Sequence, residues 1–277
     1  MNPLLLAAII ISSLALAVLL LLLYMISPGK HRHAMDYFST VRYAHRGLHD
    51  DAKAENSMSA FRAAKEHGYG IELDVRLTKD GELVVFHDND LLRMTGREGK
   101  VRDFTLEELS SLRLGGTSDG IPTFREVLEL IDGAVPLLIE MKELIGEGGV
   151  AEKLVEVIDS YKGEYIVESF SPMALRRLRR LRPDILRGIL SYEYTKEEKH
   201  KGKIIFAFAE WLMLNFLMRP DFIAYDHRGY KVHSLRFIRR SFGTPLIAWT
   251  IRSEDEEAQA IAHGFDTVIF EGYIPEK

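Results

Sequence analysis

Past residue 40, short apolar runs alternate with amphipathic segments, and this rhythm limits the fold more than any other feature of the chain. Strand-like runs fall at 42–45, 70–75, 83–87, 136–141, 165–168, 186–190, 222–225, 245–249 and 267–270. Segments of helical period lie between most of them, at 57–67, 123–131, 150–161, 172–181, 234–241 and 253–263. Thr105/Glu108, Thr123/Glu126 and Ser253/Glu256 have the S/T-x-x-E spacing at which two side chains reciprocally cover free backbone N–H groups of a helix start. Strands separated by helices pair in parallel, and about eight such units in roughly 240 residues predict a closed (β/α)₈ barrel.

Two stretches break the rhythm. A small insertion follows the third strand, at about 88–121, with Gly96, Gly99, Gly115, Gly116 and Gly120; a segment of this length inside a compact domain has structure or function of its own. The second, 204–218, is apolar apart from Glu210 and Asn215, and follows the charged run 196–203. It is too short to cross a bilayer. It reads either as a barrel helix buried on most faces or as an interfacial helix that dips Phe206, Phe208, Trp211 and Leu214 into lipid.

Pro3 to Ile26 carries no charge and is long enough to span a bilayer as one helix. Nothing basic precedes it and Ser27-Pro28-Gly29 is a poor cleavage site, so a single-pass anchor at 1–27 is expected rather than a cleaved signal peptide. A linker at 28–40 then leads to a catalytic domain at 41–277. Lys30, Arg32 and Arg42 follow the span, which favours a cytoplasmic catalytic domain. The chain has no cysteine, excluding disulfides and thiolate ligands. Its net charge of −5 argues against nucleic acid as a partner, and an anionic substrate therefore needs a local cation.

Barrel enzymes carry their reactive groups at the carboxyl ends of the strands. Here those ends hold His45 and Arg46, Glu72 and Asp74, His87 and Asp88, Glu140 and Lys142, Glu168, and Trp249. Glu72 and Asp74 are two apart on one strand, so both face the barrel mouth while Leu73 packs outward; Glu140 and Lys142 repeat the spacing. Acids embedded among Ile71, Leu73, Val75 and 137–139 need a cation to persist. All-oxygen ligation suits Mg²⁺, Ca²⁺ or Mn²⁺. Each histidine alone could be a structural strand cap, but two beside such a cluster suit the base and acid that phosphodiester cleavage requires. Gly47 is expected to let the backbone approach a ligand closely.

The series His45-Arg46-Gly47, Glu55-Asn56-Ser57 with Ala60-Phe61, Ile71-Glu72-Leu73-Asp74-Val75, Thr78-Lys79-Asp80-Gly81, Val84-Val85 and His87-Asp88 resembles the glycerophosphodiester phosphodiesterase family. The resemblance continues through 106–109, Ile121-Pro122-Thr123, Glu140-Met141-Lys142, Ser169-Phe170 and Trp249-Thr250, covering nearly all of 41–270. It implies a TIM barrel with a small insertion after the third strand, and metal-dependent hydrolysis of glycerophosphodiesters to glycerol 3-phosphate and an alcohol. His45 and His87 would be the catalytic acid/base pair. Glu72, Asp74 and Glu140 would bind one divalent cation, with His87 close enough to touch it. Arg46 and Lys142 would hold phosphate, Glu55 would support the metal or a sugar-like hydroxyl, and Trp249 joins the substrate-binding set. A neighbouring glycerol hydroxyl would attack phosphorus and give a cyclic phosphate that water opens. Where the family commonly has a Thr-Asp pair before proline after the last strand, this chain has Phe270-Glu271-Gly272. Glu271 can stand in for that aspartate with a longer reach, which bears on substrate choice more than on the reaction.

Two alternatives stay open. The anchor and 204–218 would also suit a lysophospholipid substrate and a lysophospholipase D type of reaction at the membrane. An inactive barrel binding lipid or phosphate is the remoter one, since a barrel without catalysis should have lost a member of the set His45, Arg46, Glu72, Asp74, His87, Glu140 and Lys142, and all are present.

Overall fold

The β-branched and aromatic runs form strands, and the S/T-capped segments between them form helices. A computed structural model describes residues 2–144 and 146–276, so the outer bounds expected at 1 and 277 lie outside the described residues. The strands are β1 (Tyr43–Ala44), β2 (Gly70–Leu77), β3 (Leu83–Val85), β4 (Leu137–Met141), β5 (Tyr165–Ser169), β6 (Arg187–Ser191), β7 (Phe222–Asp226), β8 (Leu246–Ile251) and β9 (Thr267–Phe270). The helices are α1 (Pro3–Ile26), α2 (Met58–His67), α3 (Leu92–Thr95), α4 (Leu106–Ser110), α5 (Phe124–Ile131), α6 (Val150–Ile158), α7 (Pro172–Leu181), α8 (Ile204–Glu210), α9 (Asn215–Met218), α10 (His233–Phe242) and α11 (Glu254–Ala262).

Eight strands, β1, β2 and β4 to β9, pair in parallel, and the ring closes where β1 meets both β9 and β2. The fold is the expected (β/α)₈ TIM barrel. Alternation along each strand divides its core. Ile71, Leu73 and Val75 of β2 pack outward with Leu137 and Ile139 of β4 against the helices. Tyr43, Leu138, Ile166, Phe222, Ile247 and Ile269 fill the interior near the amino ends of the strands, where Met35 and Phe38 plug the barrel floor. The mouth is left to the polar side chains one layer above.

The third strand departs from the parallel pattern. β3 runs antiparallel to β2, pairing Val75 with Val85 and Leu77 with Leu83. The sequence 78–82 is a tight turn, not a helix-bearing crossover, and a hairpin is what a short connection permits. Because Val75 pairs with Met141 on one side and Val85 on the other, β3 lies on the edge of β2 away from β4. β1 uses that same edge lower down, at Gly70 and Ile71.

The excursion after β3 has a small core of its own, in which Val84, Phe86, Leu91, Val101, Leu109 and Leu114 are buried together. Both threonine capping boxes form as expected, at Thr105/Glu108 and Thr123/Glu126. Ser253 completes only half of its box: its hydroxyl accepts from the Glu256 N–H, while the Glu256 carboxylate accepts from the Arg252 N–H instead. The apolar stretch 204–218 is neither one buried helix nor one interfacial helix. It divides into α8 and α9, with Glu210, Leu212, Asn215 and Met218 buried and Ile204, Ile205 and Trp211 exposed. α1 is a single helix, uncovered except at its carboxyl end and apolar enough to cross a membrane, a test that a signal sequence also passes.

Candidate active site

β2 places Glu72 and Asp74 on one face, and the parallel register sets Glu140 of β4 beside Asp74. One carboxylate oxygen from each of the three lies within 4.8 Å of the others, and all three side chains are buried. The floor beneath is apolar, since Glu72 stands next to Leu138 in the register. Burial, reinforced by Asp74 and Glu140, pushes the Glu72 carboxyl well above the ordinary range. Glu140 is pushed up to about 7, again by burial first, with Asp74 adding to it and Lys142 opposing. Burial acts on Asp74 too, but Lys142, His87, Arg46 and the Asn56 amide outweigh it and hold that carboxyl well below its usual value.

Two fixed cations answer this negative charge only in part. The Lys142 ammonium lies 2.7 Å from Glu140 Oε1 and 3.1 Å from Asp74 Oδ1. Arg46 donates its backbone N–H to Glu72 at 2.9 Å, and its Nε lies 3.5 Å from Asp74. Its outer nitrogen is bonded to Glu55 at 2.8 Å. Three clustered acids, two of them driven toward the protonated form, make a donor set of oxygen atoms that a dication fits in charge and chemistry.

The histidines reach this cluster from opposite directions along one edge of β2. His45 rises from the end of β1, and His87 descends from the residues just after β3, where the Phe86 N–H bonds the Asp74 carbonyl at 2.9 Å. Each has a carboxylate at Nδ1: Glu271 Oε2 at 2.5 Å for His45 and Asp88 Oδ1 at 2.7 Å for His87. A carboxylate there favours the proton on Nδ1, leaving Nε2 as an acceptor in the neutral ring. Burial is the first cause of the lowered pKa of both rings, to about 4 for His87.

Around the mouth, Trp249 packs edge-on against Phe170 at 5.6 Å and Tyr192 at 6.2 Å between ring centres. Phe170 in turn lies 5.9 Å from the Lys142 ammonium. The structure thus brings together His45, Arg46, Glu72, Asp74, His87, Glu140 and Lys142, with Trp249 in the adjoining wall. Glu55 is not among the three clustered acids. Gly47 lets the backbone approach α2 closely: a Cβ there would meet the Ala60 carbonyl carbon at 2.8 Å, and its φ is +82°.

The sequence profile of the glycerophosphoryl diester phosphodiesterase family matches residues 45–272. The chain belongs to this family. A glycerophosphodiester phosphodiesterase of Caldanaerobacter subterraneus subsp. tengcongensis is 35% identical, over 83% of this chain and 93% of that one. A solved Oleispira antarctica phosphodiesterase, in complex with the product sn-glycerol-3-phosphate, superposes with a TM-score of 0.71 at 25% identity, over 84% of this chain and 94% of that one. The Thermotoga maritima glycerophosphodiester phosphodiesterase gives 0.65 at 30% identity, over 83% and 94%. The activity is that of a glycerophosphodiester phosphodiesterase, a phosphoric diester hydrolase.

Within this family member, three further residues shape the site. Buried Asn56, itself at φ +55°, donates to Asp74 Oδ2 at 2.7 Å. Arg93, from α3 in the excursion, forks onto both oxygens of Glu55 at 2.6 and 2.9 Å and reaches Asp88 at 2.5 Å. Buried Arg76 donates twice to the His87 carbonyl, at 3.0 and 2.7 Å. Asn56 lies inside a family motif and was visible as such, whereas Arg93 and Arg76 carry no sequence signal, because their partners are fixed only by the hairpin.

Proposed function

We propose that the chain hydrolyses glycerophosphodiesters to glycerol 3-phosphate and an alcohol, with His45 and His87 as the acid/base pair and one divalent cation, Ca²⁺ or Mg²⁺ with Mn²⁺ also suited, held by Glu72, Asp74 and Glu140. The observation that carries this reading is the buried carboxylate trio flanked by two histidines, each with a carboxylate at Nδ1. One Nε2 takes the proton of the glycerol hydroxyl next to the phosphate, whose oxygen attacks phosphorus while the other ring protonates the departing alkoxide. The reverse proton path then lets water open the cyclic phosphate. An internal nucleophile removes most of the entropic cost of bringing reactants together. Arg46 and Lys142 are suited to bind phosphoryl oxygens. A bound cation would supply Lewis-acid stabilisation of charge on those oxygens. His87, whose Nδ1 is held by Asp88, stands outside the 4.8 Å cluster of the three acids and is assigned to proton transfer rather than to the ion. Glu55, paired with Arg46 and Arg93, fits a role in orienting Arg46 better than one of binding the metal directly. We read α1 as the single transmembrane anchor, 28–40 as its linker and the barrel from residue 41 onward as a cytoplasmic catalytic domain.

A lysophospholipid is the second reading. What favours it is a run of rings leading outward from Lys142: Phe170, Trp249, Tyr192, then Tyr194 at 3.9 Å from Tyr192 and Phe206 at 5.7 Å from Tyr194. Such a wall suits an acyl chain.

The test is turnover on glycerophosphocholine, glycerophosphoethanolamine and long-chain lysolipids, with and without chelator. Glycerol 3-phosphate should appear from the small diesters, vanish with chelator and return with Ca²⁺ or Mg²⁺. Turnover indifferent to chelator would refute the cation. Turnover confined to the lysolipids would favour the second reading.

A further inference from the structure

The connection between β6 and β7 leaves an apolar tip uncovered. Ile204, Ile205 and Trp211 are 74%, 56% and 52% exposed on a globular face. A soluble surface rarely groups large apolar side chains in this way without a partner. The same connection is bonded to the end of α1. Asn215 donates to the Ile26 carbonyl at 3.1 Å, and Arg219 donates to the carbonyls of Tyr24 and Ser27 at 3.3 and 3.2 Å and to the Ser27 hydroxyl. The Arg219 guanidinium also covers the Tyr24 ring at 4.5 Å, and Phe216 packs on that ring at 5.8 Å. α1 therefore leaves the barrel from α9, and residues 211–214 alone separate α9 from α8.

The charge nearby is positive although the whole chain is negative. Lys196, Lys199 and Lys201 pair with Glu193, Glu197 and Glu198. Lys203 and Arg219 add to them, and so do the exposed Arg179 and Arg180 of α7, the helix packed against α9. An indole and two isoleucines ringed by excess Lys and Arg, next to the root of an apolar helix, match the chemistry of an anionic bilayer surface.

We propose that α8 and Trp211 rest in the headgroup region of an anionic membrane, so that the barrel has a second, peripheral contact with the bilayer beside its anchor. This rests on the reading of α1 as a membrane span. It makes the ring-lined side of the mouth the side nearest to lipid, since Phe206 of α8 packs on Tyr194.

The test uses the full chain reconstituted in vesicles containing phosphatidylglycerol, with bromine-labelled phospholipid as a quencher. The chain holds two tryptophans, so Trp211 emission is the difference between the wild type and Trp211→Phe. Bromines near the headgroups should quench that difference signal, as an indole buried at the headgroup level requires, and quenching should fall when phosphatidylcholine replaces phosphatidylglycerol. Flotation resistant to alkaline carbonate reports α1 separately. Resistant flotation with unquenched Trp211 would overturn the peripheral contact and leave the anchor standing. Flotation lost in carbonate would overturn the anchor, and the contact with it. Equal quenching in purely zwitterionic vesicles would overturn the assignment to anionic lipid.

Discussion

Glu271 does for His45 what Asp88 does for His87, although one lies at the end of the chain and the other next to its ring in sequence. The bond to His45 is the first cause that takes the Glu271 carboxyl down from 4.5 to about 2. A carboxyl lowered on folding contributes stability above its unfolded value and loses it as pH falls through the folded one. Glu271→Gln should therefore lower Tm relative to wild type at pH 7, with the gap closing as pH falls from about 4.5 toward about 2; thermal melts of both proteins across that range check it. His45→Ala and His87→Ala should each reduce turnover by about 10²–10⁴ with the circular dichroism spectrum unchanged. Unfolding of either would reassign the ring to a structural role. Glu72→Gln should move the cation saturation curve to higher concentration, as titration of activity against Ca²⁺ or Mg²⁺ will tell. At this scale most of the site was legible, because Glu72-x-Asp74 and Glu140-x-Lys142 need only the two-residue period of a strand to converge. The partners of Glu55 were not, since Arg93 meets it across the excursion.

At the scale of elements, the β2–β3 hairpin positions His87, one half of the proposed acid/base pair. Arg76 of β2 ties down the segment that follows β3 through the His87 carbonyl. Its loss leaves the ring in place chemically but looser in position, and a misplacement near 1 Å costs up to about 10² in rate. Arg76→Ala should lower kcat by about that factor or less with little change in KM, as steady-state kinetics will measure. All nine strand runs can be read in the sequence, and the observed strands fall within or beside them. The antiparallel pairing of Leu83–Val85 could not be read from its apolar content, which a barrel strand would share; the signal was the short turn at Asp80-Gly81, too brief for a parallel crossover. The division of 204–218 was hidden for a different reason. Its buried polar members are explained by distant partners, Thr195 for Glu210 and Ile26 for Asn215.

Across the whole molecule, the barrel floor is where the segment 28–40, β6 and β7 meet. Asp221, fully buried, accepts from the backbone of Arg187 and of His31 at 3.2 Å each, and its other charge partner is the Arg187 guanidinium at 3.3 Å. Arg187→Ala would leave a buried carboxylate without its cation, a change that costs about 3–5 kcal/mol. Chemical denaturation should report a loss of that size, far above what removing an exposed arginine produces. The ring itself was foreseeable from the alternation of elements, while the plug of Met35 and Phe38 was not, because nothing in the local pattern of 28–40 says which side chains turn back inward. The hairpin bears on the ring in one more way. Since β3 adds to the rim of β2 without taking a place among the eight parallel strands, the number and tilt of the staves are independent of it. The length of the loop beyond His87 can vary while the barrel keeps its girth, so that part of the rim can be refashioned without moving the strands that carry the three clustered acids.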